Sequence, residues 1–222
     1  RLRRRPCLLP ATLSANGQTE AASVTDISEA GCFAAVEQRY PAGTMDRVAF
    51  DNPGKRLTAK GVEQVEQGLH LSFSGEGLSA AEADRISLTT VPELVRLAKA
   101  DHLAFVKRVA EAVAADDKLQ PESLATQHRC RLGRWYDNVS DPATRQLPSF
   151  KALETPHHRV HMAGRQALVA LAADDAAGAQ RAVDDMRQQS ELVTRRLDEF
   201  GEAYPATMAA AAPLATATPL AA

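Results

Sequence analysis

All but one of the six histidines fall between His102 and His161, and three of them have the spacing of metal ligands. His157 and His161 are four residues apart in a segment whose apolar positions Phe150, Leu153, Leu168 and Leu171 repeat by three and four. A helix there sets both imidazoles on its inward face, one turn apart, where they can share one metal ion. His102 lies in a matching stripe of Val95, Ala98, Phe105, Val109 and Val113. Three inward imidazoles converging in one interior call for a common partner, and zinc supplies it. A fourth ligand is offered between His128 and Tyr136, as either His128 or Cys130. Periodicity groups His128 with Leu124, Leu132 and Trp135 and leaves Cys130 off that face. His158, about 100° around the helix from His157, reads as a surface residue, and His70 as a strand-surface or half-buried residue without a role.

The run Cys130-Arg131-Leu132-Gly133-Arg134-Trp135-Tyr136, with a histidine upstream and Pro156-His157-His158-Arg159-Val160-His161 downstream, resembles the chemoreceptor zinc-binding (CZB) domain. The resemblance covers roughly residues 96 to 200. It implies a four-helix bundle holding one zinc ion per chain through His102, Cys130, His157 and His161. It also implies sensing of zinc or of an oxidant such as hypochlorous acid. A lone thiolate among neutral imidazoles is the one oxidisable anionic ligand, so its oxidation would weaken zinc binding. A homodimer through the bundle is a further expectation from the resemblance. Catalysis is not expected. The segment His157 to His161 lacks the glutamate of H-E-x-x-H zinc hydrolases, four protein ligands leave no open coordination position, and no phosphate-binding loop, dinucleotide fingerprint or nucleophile elbow occurs.

A second set of candidate residues stands at the start of the chain. Arg1 and Arg5 form an R-x-x-x-R pair, and Asp26-Ile27-Ser28-Glu29-Ala30-Gly31 follows one strand later. Guanidinium groups hold phosphates bidentately and reach guanine acceptors, a carboxylate accepts from guanine N–H donors, and glycine permits close backbone approach. The ligand implied carries both phosphate and guanine. The arrangement resembles the PilZ family of cyclic-di-GMP receptors over roughly residues 1 to 90. That resemblance implies Arg1, Arg5, Asp26, Ser28 and Gly31 as ligand contacts, with Arg4 able to replace either arginine. The competing reading is a zinc-stabilised protein-interaction module with a degenerate nucleotide site.

The elements that must position these residues fall into two textures. Strand-like runs at Cys7–Leu13, Ala22–Ile27, Cys32–Val36, Arg47–Phe50, Leu57–Gln64 and Gly68–Phe73 alternate with turn signals such as Asn16-Gly17. They predict a small antiparallel barrel closed by a short helix over Ala80–Ile86. From Thr90 the sequence predicts four helices, opened at Pro92, Pro121, Pro142 and Pro156, with residues 87–95 as a connection. Val183, Met186, Ser190, Val193, Leu197 and Phe200 mark the inward stripe of the last helix. The expected architecture is therefore α+β: residues 1–90 a barrel, 91–204 a four-helix bundle, and 205–222 a disordered Ala/Pro-rich tail.

Composition fits a folded cytoplasmic protein. The chain has 222 residues, is 45% hydrophobic, and carries 26 Lys+Arg against 28 Asp+Glu. Both halves are balanced in charge, which argues against a nucleic-acid partner, although Arg1, Arg3, Arg4 and Arg5 crowd the start. No apolar run is long enough to span a bilayer. Three scattered cysteines, Cys7, Cys32 and Cys130, do not make a secreted disulfide framework. Pro6 and Pro10 interrupt what would otherwise resemble a signal peptide, and the absence of an initial Met suggests a fragment or a processed form.

Overall fold

Alternation along the first strand sets the barrel. In β1 (Arg5–Ala15), Cys7, Leu9, Ala11, Leu13 and Ala15 point inward between less buried neighbours, the period-two pattern of a strand with one buried face. The structure, a computed structural model, describes residues 2–36, 39–40, 45–50, 56–65, 68–117 and 119–211. Asn16 and Gly17, both at positive φ, turn the chain into β2 (Gln18–Ile27). There follow β3 (Gly31–Ala35), β4 (Met45–Phe50), β5 (Arg56–Val65) and β6 (Gly68–Ser74), all paired antiparallel into a closed barrel of order β1-β2-β3-β6-β5-β4. Closure leaves no edge strand to be protected.

Helix α1 (Ala80–Ala114) opens on a full capping box, in which Ser79 accepts from the Glu82 N–H and Glu82 accepts from the Ser79 N–H. Its first turns plug the barrel with Ala83 and Ile86. The helix expected to stop there does not stop. It continues through residues 87–95 with Pro92 in its interior, so neither the predicted connection nor a fresh helix start at Pro92 is found. The Thr90-Val91-Pro92 signal misleads because the threonine hydroxyls bond backward: Thr89 Oγ1 donates to the Arg85 and Ile86 carbonyls and Thr90 Oγ1 to the Ile86 carbonyl. Burial of Val91, Leu94 and Val95 against the helical core offsets the hydrogen bond that Pro92 cannot make.

The remainder is helical but not four equal helices. A single 3-10 turn at Pro121–Ser123 is followed by three short helices, α2 (Arg131–Asn138), α3 (Pro142–Gln146) and α4 (Pro148–Lys151), where helices opened at Pro121 and Pro142 were expected. Proline starts and side-chain caps at Cys130 and Asp141 break this stretch repeatedly. Helices α5 (Glu154–Ala172) and α6 (Ala176–Ala211) pack against each other and against α1. Trp135, Phe150 and Phe200 meet at their centre with ring centroids 5.3–6.1 Å apart.

The tail predicted from residue 205 needs correction, since α6 runs through Pro205 to Ala211. Tyr204 and Met208 extend the inward stripe by two more turns and are buried in the core, which holds the helix together across the proline. Residues 212–222 lie outside the described part.

Barrel and helices are joined by more than α1. Ser87 donates to the Pro6 carbonyl, and the Tyr204 hydroxyl lies 2.6 Å from Ser87 Oγ. The Leu8 N–H donates to Thr90 Oγ1, and Arg3 pairs with the buried Asp141 at 2.8 Å.

Candidate metal centre

Three helical turns bring the histidines together. His102 comes from the middle of α1, and His157 and His161 from successive turns of α5; all three are buried. Each offers a ring nitrogen, and these atoms lie within 4.8 Å of one another. His157 Nε2 and His161 Nε2 are 3.2 Å apart, and Cys130 Sγ is 3.2 Å from His157 Nε2.

Cys130 reaches the cluster by a route that helical periodicity does not describe. It is the N-cap of α2 and stands outside the helix, accepting from the Gly133 N–H at 3.2 Å. Gly133 is required here: a Cβ at that position would lie 1.5 Å from the Gln127 carbonyl oxygen, so any other residue would push away the loop that carries Cys130. Nothing in the sequence pattern except the glycine itself signals this contact. His128, the periodicity candidate, is exposed and pairs with Asp137 at 2.9 Å, and His158 is exposed as well.

The donor set suits zinc. A tetrahedron with bonds of about 2.0–2.3 Å has edges of about 3.3–3.8 Å, close to the two 3.2 Å separations at His157. His102 Nε2 is buried without a hydrogen-bond partner, an orphan that a metal would satisfy. His161 Nδ1 lies 2.8 Å from the Ala125 carbonyl, to which it donates, leaving Nε2 as its lone-pair nitrogen. Burial holds all three imidazoles neutral, with pKa values lowered to about 4 for His102, about 3 for His157 and about 4 for His161, the mutual repulsion of the rings adding to the effect. Burial also pushes the Cys130 thiol up, against the Gly133 and Leu132 N–H groups and Arg134, which favour the thiolate. An open cleft of about 340 Å³, lined by His128, Gly133, Tyr136, His157 and His158, leads to this centre from outside.

The barrel motif gathers at one end of the barrel. Arg1 lies outside the described residues. Arg5, 4% exposed, pairs with Asp84 and Glu29, while Arg4 donates to Asp26. Burial raises the Asp26 carboxyl pKa, and Arg4 opposes that shift. Ser28 Oγ donates to the Gly31 carbonyl at 3.1 Å. Gly31 has a packing role of its own, because a Cβ there would lie 2.2 Å from the Leu71 carbonyl oxygen across the β3–β6 pair. Sequence reasoning counted Arg3 in the basic cluster but gave it no partner; its bond to Asp141 ties that cluster to α3.

A search of curated proteins gives no match. The six-stranded barrel is consistent with PilZ architecture, but no PilZ family match is found for it. Among the described residues no helix is long and apolar enough to cross a membrane. Residues 102–168, which begin at His102 and contain Cys130, His157 and His161, match the family model of the chemoreceptor zinc-binding domain, a match that implies a zinc-binding signalling module.

Proposed function

We propose that this protein is a cytoplasmic signalling receptor, not an enzyme, that holds one zinc ion per chain through His102, Cys130, His157 and His161. The observation that carries the reading is the convergence of three buried neutral imidazoles, one of them with an orphaned nitrogen, with the Cys130 sulfur 3.2 Å from His157 Nε2 at the edge of the group. When bound, zinc keeps the Cys130 sulfur in its thiolate form, the form that oxidants attack. The cleft beside His157 and Gly133 opens next to Cys130, which is itself only partly buried, and this supports attack by hypochlorous acid from that side. The sulfur takes chlorine from the acid, hydroxide leaves, and water then displaces chloride to give the sulfenic acid. The centre thereby loses its anionic ligand. Cys7 and Cys32 are fully buried in the barrel, and burial pushes both thiols up, so neither competes as the oxidant's target. The test is a titration with hypochlorous acid that follows zinc release and maps oxidised cysteines by mass spectrometry. Release that persists in Cys130→Ser with its metal restored, or oxidation confined to Cys7 and Cys32, would overturn the reading.

The barrel's part is to bind cyclic-di-GMP through Arg1, Arg5, Asp26, Ser28 and Gly31. A specific observation favours a second reading, a zinc-stabilised interaction module with a degenerate nucleotide site, because Arg4 and Arg5 are both already paired with carboxylates. Calorimetric titration of cyclic-di-GMP into zinc-loaded and zinc-stripped protein separates the two. Saturable binding lost in Arg5→Ala and Asp26→Ala supports the receptor, and no binding with intact zinc supports the module. Light scattering on the same samples reports the oligomeric state, a homodimer through the helices being expected.

A further inference from the structure

A cleft of about 370 Å³ separates the outer face of β2 from helix α2, and none of the metal ligands or barrel-motif residues discussed above lines it. Its barrel wall includes Ser23 and Thr25, and its helical wall includes Arg131 and Arg134. The two arginines are three positions apart in α2 and so share one face. A register shift of β2 between Val24 and Asp26 interrupts its pairing with β3 at Thr25, the kind of irregularity that re-aims a side chain. Thr25 is 7% exposed, yet its hydroxyl has no hydrogen-bond partner. Thr25 lines a cleft that also holds two guanidinium groups, and its buried, unpaired hydroxyl would be satisfied by an acceptor brought in beside them.

We propose that this cleft binds a small phosphate-bearing organic molecule, with Arg131, Arg134 and the Thr25 hydroxyl on the phosphate. Guanidinium forks match phosphate oxygens bidentately, and a hydroxyl donor completes the set. Arg131 is engaged with Asp101, but that pair is about half exposed, weak enough for a phosphate to displace. Among the described residues of the lining the acidic group is Glu20, which accepts from the Tyr40 hydroxyl. Leu8, Ala22 and Val36 supply an apolar floor for the organic part, and the volume falls within the range of small-ligand pockets. The inference goes beyond the zinc and cyclic-di-GMP readings and depends on neither.

The experiment is calorimetric titration of zinc-loaded full-length protein with adenosine 5′-monophosphate and, separately, with orthophosphate. The nucleotide is expected to saturate one site per chain. Arg131→Gln and Arg134→Gln are each expected to weaken it by about tenfold, and Thr25→Val several-fold. Asp101→Asn should tighten binding by freeing Arg131, and Arg187→Gln, in an exposed pair on α6, should change nothing. Zinc content and far-ultraviolet circular dichroism verify that each variant is folded. Orthophosphate binding as tightly as the nucleotide would support the phosphate site and assign it to the free anion. Absence of saturable binding by either probe, or binding abolished by Arg4→Gln and indifferent to both α2 arginines, would overturn the proposal.

Discussion

At the scale of single residues, the candidate metal centre divides its proposed ligands by the element that carries them. His157→Ala should reduce zinc from one ion per chain to a trace by elemental analysis, whereas His158→Ala should retain it, because His158 faces solvent. His157 and His161 were legible as a pair, since two imidazoles one turn apart on an apolar stripe have few other arrangements. Cys130 was not legible from periodicity. A capping residue has non-helical backbone angles and obeys no helical repeat, so the pattern pointed to His128, whose ring is exposed. Gly133→Ala tests the geometry behind Cys130. Its methyl group would collide with the Gln127 carbonyl, so a loss of about 1–3 kcal/mol in stability and weaker zinc binding are expected in thermal melts with and without metal.

At the scale of elements, α1 and α5 are held together by imidazoles that must stay neutral, and this gives the fold a pH dependence. Each histidine has a folded pKa below its ordinary value of 6.5, so its contribution is complete above pH 6.5 and is lost as the pH falls toward 3–4. Zinc-free protein should therefore hold a steady urea midpoint above pH 7. It should lose about 2 kcal/mol per histidine by pH 5. All six strands could be read from alternation and turn residues, because both signals are local. The continuity of α1 could not, because Thr90 and Pro92 carry the local chemistry of a helix start while tertiary burial of Val91 and Leu94 overrides it. Thr90 does double duty, accepting from the Leu8 N–H and donating to the Ile86 carbonyl. Thr90→Val should leave the Leu8 N–H without that acceptor and cost about 1–3 kcal/mol in a denaturation curve.

At the scale of the whole molecule, the barrel and the helices share their cores' boundary through α1, the Ser87–Tyr204 contact and the Arg3–Asp141 pair. Met208, placed by sequence in a tail, is buried and accepts from Arg3 at 3.1 Å. Met208→Ala should therefore destabilise the protein by about 2–4 kcal/mol in thermal melts, where a tail residue would change nothing. Pro205 hid this, because a proline ordinarily ends a helix and only long-range packing against the chain's start keeps this one going. The unbroken α1 also gives the two halves a fixed phase. Its 35 residues form a rod about 52 Å long. One residue inserted between Leu88 and Val91 would turn the barrel about 100° around the rod's axis relative to the metal centre, whereas seven would nearly restore the orientation. Any message passing between the halves is thus written as an angle, and insertions of graded length would scramble and then recover it.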